Sequence, residues 1–395
     1  MIRLVGTVLL TSMLILPVSS AGARGRAVPR GFFGTVLNPQ ILVPASGPLP
    51  SSVLGGQLGN MARSGVESLR VTFAWSSIEP SPGTFNWTVT DGLVAAAAQH
   101  GVSLLADAIY SPKWASANPL SFQSGFYGPK NPQTYADFMT ALVARYGPHG
   151  AFWAANPGLP KVPIRNWQIW NEQAANFFWV QQPWPTTYTA TLRAAYAAIH
   201  RADRGATVVA GSLVGVGNDT PWSEMKALYA AGAKRYFDEI SVHPFTIDPR
   251  SVRNTVDRVI KIIRLVRGQM HRHGDAHKPI VITEMSFPAA LGRVPTSRLL
   301  GLETTSSGES RRLTAAYTTL GREHAKLGLK QVYWFTWASS FDARDPLSDV
   351  SYQFAGLTKF AAPARFTPEP ALNAYSRVAR QLEGCRKSTN ALHCG

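Results

Sequence analysis

Eight short apolar runs, each followed by a longer helix-like stretch, predict that this chain folds as a single (β/α)8 barrel. Three observations carry the prediction: the alternation persists through the chain, the strand-like runs are almost wholly apolar, and the longest loops fall on one side of them. The runs are "GFFGTVL" (31–37), "ESLRVTF" (67–73), "VSLLADA" (102–108), "RNWQIW" (165–170), "ATVVAGS" (206–212), "DEISVHP" (238–244), "PIVITEM" (279–285) and "QVYWFTW" (331–337). Strands buried on both faces of a parallel sheet read this way, without the in-out alternation of a half-exposed strand.

The intervening stretches have helical spacing and helical punctuation. "DGLVAAAAQHG" follows the second strand, "TYADFMTALVARYG" the third, "TYTATLRAAYAAIHRAD" the fourth and "SVRNTVDRVIKIIRLVRGQM" the sixth. Several open at Ser, Thr or Asp and stop at Gly, the residues that cap helices. "PALNAYSRVARQLEG" supplies the last helix. A doubly wound open sheet is the competing architecture, but it carries a glycine-rich phosphate loop after its first strand, which "GFFGTVLNPQ" lacks.

The longest interruptions follow strands three, four and eight: "YSPKWASANPLSFQSGFYGPKNP", "QAANFFWVQQPWP" and "ASSFDARDPLSDVSYQFAG". All lie on the C-terminal side of the strands, where barrels build their active sites. They are rich in aromatic rings, whose flat faces suit sugars.

Composition bounds the class. With 45% hydrophobic and 16% charged residues, the 395-residue chain can bury a large core. Residues 1–23 combine an early Arg3, an apolar run to Val18 and the small residues Ala21-Gly22-Ala23, the pattern of a cleaved secretory signal. The barrel is assigned to 24–384 and a tail to 385–395. Cys385 and Cys394 close a small loop in that tail, and an oxidising compartment favours a disulfide between them. The expected location is therefore extracytoplasmic, with no stable membrane insertion after cleavage. The formal net charge of +16 reads either as a generally basic, solvated surface or as favouring anionic neighbours, among them acidic polysaccharide. Nucleic acid is not expected, because the basic residues are dispersed and no nucleic-acid-binding motif accompanies them. The sequons at Asn86 and Asn218 matter only in a glycosylating host. "HRHGDAH" (271–277) groups three histidines, but on the N-terminal side of a strand, away from the mouth, so neither metal nor organic cofactor is expected.

Chemistry concentrates in two carboxylates. "RNWQIWNEQ" delivers Asn171 and Glu172 at the end of strand four, and "VITEMSF" places Glu284 at the end of strand seven. Two carboxylic acids across a barrel mouth can cleave a glycosidic bond, one protonating the leaving oxygen while the other, ionised, attacks the anomeric carbon. With only 23 acidic residues in the chain, two at strand ends call for a reason.

An ordered set of motifs, "RVTFAWSSIEPSPGTFNW" (70–87), "WQIWNE" (167–172), "SVHPF" (241–245), "VITEMSF" (281–287) and "YWFTW" (333–337), resembles the retaining glycoside hydrolases of clan A, particularly barrels of families 39 and 5. The resemblance spans nearly the whole chain beyond residue 23. It implies Glu172 as general acid/base, Glu284 as nucleophile, and Asn171 as a partner of the sugar 2-hydroxyl. Arg70 would pair with Glu284 and keep it ionised, and Trp337 would form an aromatic floor under the sugar. His243 matches a position near the nucleophile, with a satisfied core histidine as the alternative. Trp75, together with Glu79, matches the turn after strand two. The implied substrate is a β-linked oligosaccharide or polysaccharide, cleaved by a monomeric enzyme. The accessory β-domain of family 39 xylosidases has no counterpart here, so their substrate does not carry over. The alternatives are a barrel that binds envelope polysaccharide without cleaving it, and an inverting hydrolase with more widely spaced acids.

Overall fold

The computed structural model describes residues 25–38, 42–43, 47–215, 218–339, 352–361 and 364–385. The expected signal segment and Cys394 lie outside them. Eight parallel strands close into a barrel in sequential order: β1 (Phe33–Leu37), β2 (Ser68–Ala74), β3 (Ser103–Ile109), β4 (Asn166–Ile169), β5 (Thr207–Leu213), β6 (Glu239–Val242), β7 (Ile280–Met285) and β8 (Leu329–Trp334). β1 pairs with both β2 and β8, which closes the ring. The chain is a TIM barrel, as its alternating pattern predicts.

Local chemistry sets the helix boundaries. Asn131 caps Pro132–Tyr146 through its side chain, and Thr220 and Ser223 form a reciprocal capping box at Pro221–Ala230. Gly328 and Gly384 end Ser306–Leu327 and Pro370–Glu383 in the left-handed conformation.

The barrel interior is layered. Val36, Leu105, Val209, Val281 and Tyr333 form an apolar plug, with Phe335 packed against it from a partly buried position. The plug leaves no room beside Tyr333: a Cβ on Gly34 would stand 2.4 Å from its ring. A polar layer comes from residues further along the same barrel. Asp107 and Thr283 lie two positions beyond plug residues on β3 and β7, joined by Arg70, Gln168, Ser212 and Ser241, all buried. This layer positions the chemistry described below.

Two features depart from the sequence reading. β8 ends at Trp334, so Trp337 lies beyond the barrel ladder. A small three-stranded sheet then forms from β9 (Ala338–Ser339), β10 (Thr358–Ala361) and β11 (Arg365–Pro368), none of which the apolar runs announced. β10 and β11 are short and only partly buried, so they lack the unbroken apolar signature of the barrel strands. Among the described residues no helix is long and apolar enough to cross a membrane.

Candidate active site

The ends of β3 and β4 carry unusual backbone. Tyr110, Trp170 and Glu172 are the non-glycine residues with positive φ among those described, at 70°, 67° and 42°. Such conformations cost on the order of 1–3 kcal/mol each and persist where surrounding structure holds them. The holding groups are identifiable. Tyr135 donates to the Ala108 carbonyl at 2.6 Å, Tyr188 to the Ile169 carbonyl at 2.8 Å, and Gln168 Nε2 to the Trp170 carbonyl at 2.8 Å. The Trp170 indole donates to the Phe178 carbonyl at 2.6 Å. The "WQIWNE" segment thus leaves the strand through a pinned, left-handed turn that presents Asn171 and Glu172 at the mouth.

Glu172, His243 and Glu284 converge there, with one ligand atom of each within 4.8 Å of the others. Arg70 is the organising group. Its Nη1 donates to Glu284 Oε1 at 2.6 Å, Nη2 to Asp107 Oδ2 at 2.9 Å and to Asn171 Oδ1 at 2.8 Å, and Nε to Gln168 Oε1 at 2.8 Å. Because a guanidinium only donates, it fixes the Asn171 amide with its oxygen inward, leaving the NH₂ free to donate elsewhere. His243 bridges the two acids: Nδ1 lies 2.7 Å from Glu172 Oε1, and Nε2 lies 2.8 Å from Thr283 Oγ1 and 3.8 Å from Glu284 Oε1.

The charge balance is lopsided. One permanent cation faces three buried carboxyl groups, Asp107, Glu172 and Glu284. Burial pushes Glu172 up to about 7 against the pull of Arg70, and Asp107 up to about 6. The same desolvation pushes Glu284 up despite its direct contact with Arg70. Pairing with Arg70 was expected to hold Glu284 ionised; the pairing is present, but loss of water outweighs it in setting the direction of the shift. Burial also lowers His243 to about 3, so the ring is neutral at ordinary pH.

Three converging ligand atoms raise the question of a metal ion. The donor set argues against one. Both His243 nitrogens are engaged by Glu172 and Thr283, and a second cation would sit beside Arg70 in a desolvated space.

Of the residues singled out in the sequence, Arg70, Asn171, Glu172, His243 and Glu284 come together. Trp75 and Trp337 do not. Trp75 has no exposed surface; it packs against Trp114, Tyr135 and Phe138 and donates to Glu79, whose other oxygen accepts from Gly83 N. It braces the turn after β2 rather than lining a cleft. Trp337 is equally enclosed, with its indole nitrogen bonded to Gln57 at 3.1 Å. The ring left partly exposed near the plug is Phe335, in contact with Phe245 and Tyr352, and Phe245 in turn packs against His243.

Sequence reasoning passed over Asp107, Gln168, Ser212, Ser241 and Thr283. For Asp107 a signal existed, since it is a lone acid in an apolar strand, the feature that drew attention to Glu284. Small hydroxyl residues in a strand carry no such signal.

Comparison with known proteins bears on the fold. A family model described as β-galactosidase, glycoside hydrolase family 42, matches residues 49–119, the stretch holding Arg70, Trp75 and Asp107. Among solved structures, a family 39 glycoside hydrolase from the gut symbiont Bacteroides cellulosilyticus is similar, with a TM-score of 0.59 at 16% identity over 90% of this chain and 64% of its own. A glucosidase from Croceicoccus marinus gives 0.61 at 14% identity, over 91% and 69% of the two chains. A family 5 mannosidase from Rhizomucor miehei, solved with mannosyl-fructose, gives 0.60 at 12% identity, over 90% and 94%. No curated protein sequence matches. The fold is the (β/α)8 barrel that these glycoside hydrolases share, and the chain spans 64% of the family 39 enzyme's length.

Proposed function

We propose that the protein is an exported, retaining glycoside hydrolase acting on β-linked oligo- or polysaccharide, with Glu172 as acid/base and Glu284 as nucleophile. The observation that carries this reading is that one carboxylate oxygen of Glu172 and one of Glu284, both buried, lie within 4.8 Å of each other at the barrel mouth. A retaining pair stands about 5–5.5 Å apart, whereas an inverting pair needs roughly 6.5–9.5 Å to admit a water. Glu284 Oε1 is occupied by Arg70, and among the described residues no protein group is bonded to its Oε2, which is the atom assigned to attack. The free NH₂ of Asn171 suits a sugar hydroxyl.

A proton count along the buried hydroxyls supports the separation of the two acids' roles. Asn171 Oδ1 can only accept, and Ser212 donates to it at 3.3 Å. With that proton committed, Ser241 must donate to Ser212, at 3.0 Å, and Thr283 must donate to Ser241. The Thr283 proton is then spent, so the His243 Nε2 beside it must carry a hydrogen. A neutral ring with Nε2–H has a bare Nδ1, which can only accept from Glu172 at 2.7 Å. On this count Glu172 holds a proton at rest below about pH 7, the direction in which burial also pushes it.

Glu172 must be protonated to donate, so activity is expected to fall as pH rises through about 7. Replacing Thr283 by Val removes the acceptor for His243 Nε2–H. The ring can then place its proton on Nδ1 and stabilise an ionised Glu172, moving this alkaline limb down by about one pH unit. Thr283→Ser should restore it. A limb that stays in place in Thr283→Val would refute the proton count.

Export and the Cys385–Cys394 disulfide belong to the same proposal. Cys385 directly follows the last helix and its C-terminal Gly384, while Cys394 and the signal segment lie outside the described residues. The carbohydrate partner, acidic polysaccharide included, is to be identified by screening release of reducing ends from β-glucans, xylans, mannans, galactans and acidic exopolysaccharides.

A further inference from the structure

Exposed apolar side chains are not scattered over this barrel. Among the described residues the exposed large hydrophobics are Val43, Leu120, Phe122, Phe177, Leu291 and Leu300, and all six lie in loops that follow strands β1, β3, β4 and β7. They are therefore confined to the face that carries the catalytic mouth. Leu120 and Phe122 are 96% exposed, two residues apart on one loop tip. The β4 loop, with Phe177 51% exposed, joins that side of the rim through the contact of Phe126 with Phe178. Side chains this bare, concentrated on one face, mark an interaction surface rather than the ordinary apolar fraction of a protein exterior.

Charge on these loops is one-sided. In the described loops after β3, β4 and β7 the acids are Glu172 and Glu303, and both are buried. The exposed charges are Lys113, Lys130, Arg293 and Arg298. Arg293 is paired with Glu369, while no ion pair engages Lys113, Lys130 or Arg298 among the described residues. The chain as a whole carries a formal charge of +16.

We infer that the mouth face of the barrel docks on an anionic lipid bilayer surface. Apolar side chains on loop tips enter the boundary between headgroups and acyl chains, and lysines and arginines beside them meet anionic headgroups; peripheral membrane attachment needs this combination. The aliphatic members decide against a glycan as the occupant. Sugars stack on flat aromatic faces, whereas Leu120, Leu291, Leu300 and Val43 offer branched alkyl surface suited to acyl chains. The inference is independent of the hydrolytic reading, because attachment is measured without turnover. Its consequence for function is positional: the cleft opens toward the surface that the protein sits on.

Flotation of the full chain with sealed vesicles tests this. The protein should rise with phosphatidylcholine vesicles containing phosphatidylglycerol, weakly or not at all with phosphatidylcholine alone, and less at high salt. Leu120→Ser with Phe122→Ser, and separately Lys113→Glu with Lys130→Glu, should each weaken attachment at least about tenfold. These side chains are exposed, so an unchanged melting temperature is the control for folding. The inference is overturned if the wild-type protein does not float. It is equally overturned if both double variants float like wild type, which would assign attachment to basic surface elsewhere. Sedimentation with insoluble glycan that the Leu120/Phe122 variant loses, without vesicle binding, would reassign the rim to sugar and overturn it too.

Discussion

Replacing Glu284 by Ala is expected to lower turnover by at least about four orders of magnitude without unfolding the barrel. The loss is large because Glu284 supplies the bond that divides the reaction into two steps, and no neighbour can substitute. Asp107 is held by Arg70 on β3, and Glu172 is committed to His243. The fold should survive because Arg70 keeps Asp107, Asn171 and Gln168 as partners, so no buried charge is stranded. Azide should enter the vacated space and return a glycosyl azide of inverted configuration. Kinetics on an activated aryl glycoside, with product analysis, check both halves, and near-normal activity would remove Glu284 from the mechanism.

Glu172→Ala should behave differently. Loss of the general acid is expected to cost about 10²–10⁴-fold on substrates with poor leaving groups and far less on activated aryl glycosides, which need little protonation. With activated substrates the glycosyl-enzyme forms but waits for a base to activate water. Azide should then accelerate release and give a product of retained configuration, opposite to that from Glu284→Ala. The alkaline limb near pH 7 should also disappear, since the group responsible is Glu172. A variant equally slow on every leaving group would argue that Glu172 shapes the pocket instead of supplying a proton.

What could be read in advance follows from how each feature is encoded. A parallel strand buried on both faces leaves a one-dimensional signature, and each of the eight expected runs overlaps a barrel strand, with ends that differ by up to three residues. Glu284 stood out because an ionisable group at the end of "PIVIT" is costly unless something uses it. Trp337 was placed at the strand's end because "QVYWFTW" is mostly apolar, while the ladder stops at Trp334; hydrophobicity cannot mark where pairing ends once the chain turns into other packed structure. Trp75 and Glu79 matched the turn after strand two, a mostly architectural motif, and the Trp75 ring is indeed consumed by packing against Trp114, Tyr135 and Phe138.

The relay from Asn171 to Glu172 was not legible at all. It needs Ser212, Ser241 and Thr283 from three strands to meet inside the barrel, and that meeting depends on register across the closed sheet. The direction of the Glu284 shift was missed for a related reason: a single arginine is visible in sequence, whereas the extent of desolvation around a pair is a property of the packed interior.

The most direct test of the two-carboxylate account is the anomeric configuration of the first product, followed by proton NMR before mutarotation. A β-glycoside cleaved by Glu172 and Glu284 at this separation should release the β-anomer first, with the α-anomer growing in only as the sugar equilibrates. Initial release of the α-anomer would mean single displacement by water, and would contradict the assignment of Glu284 as nucleophile.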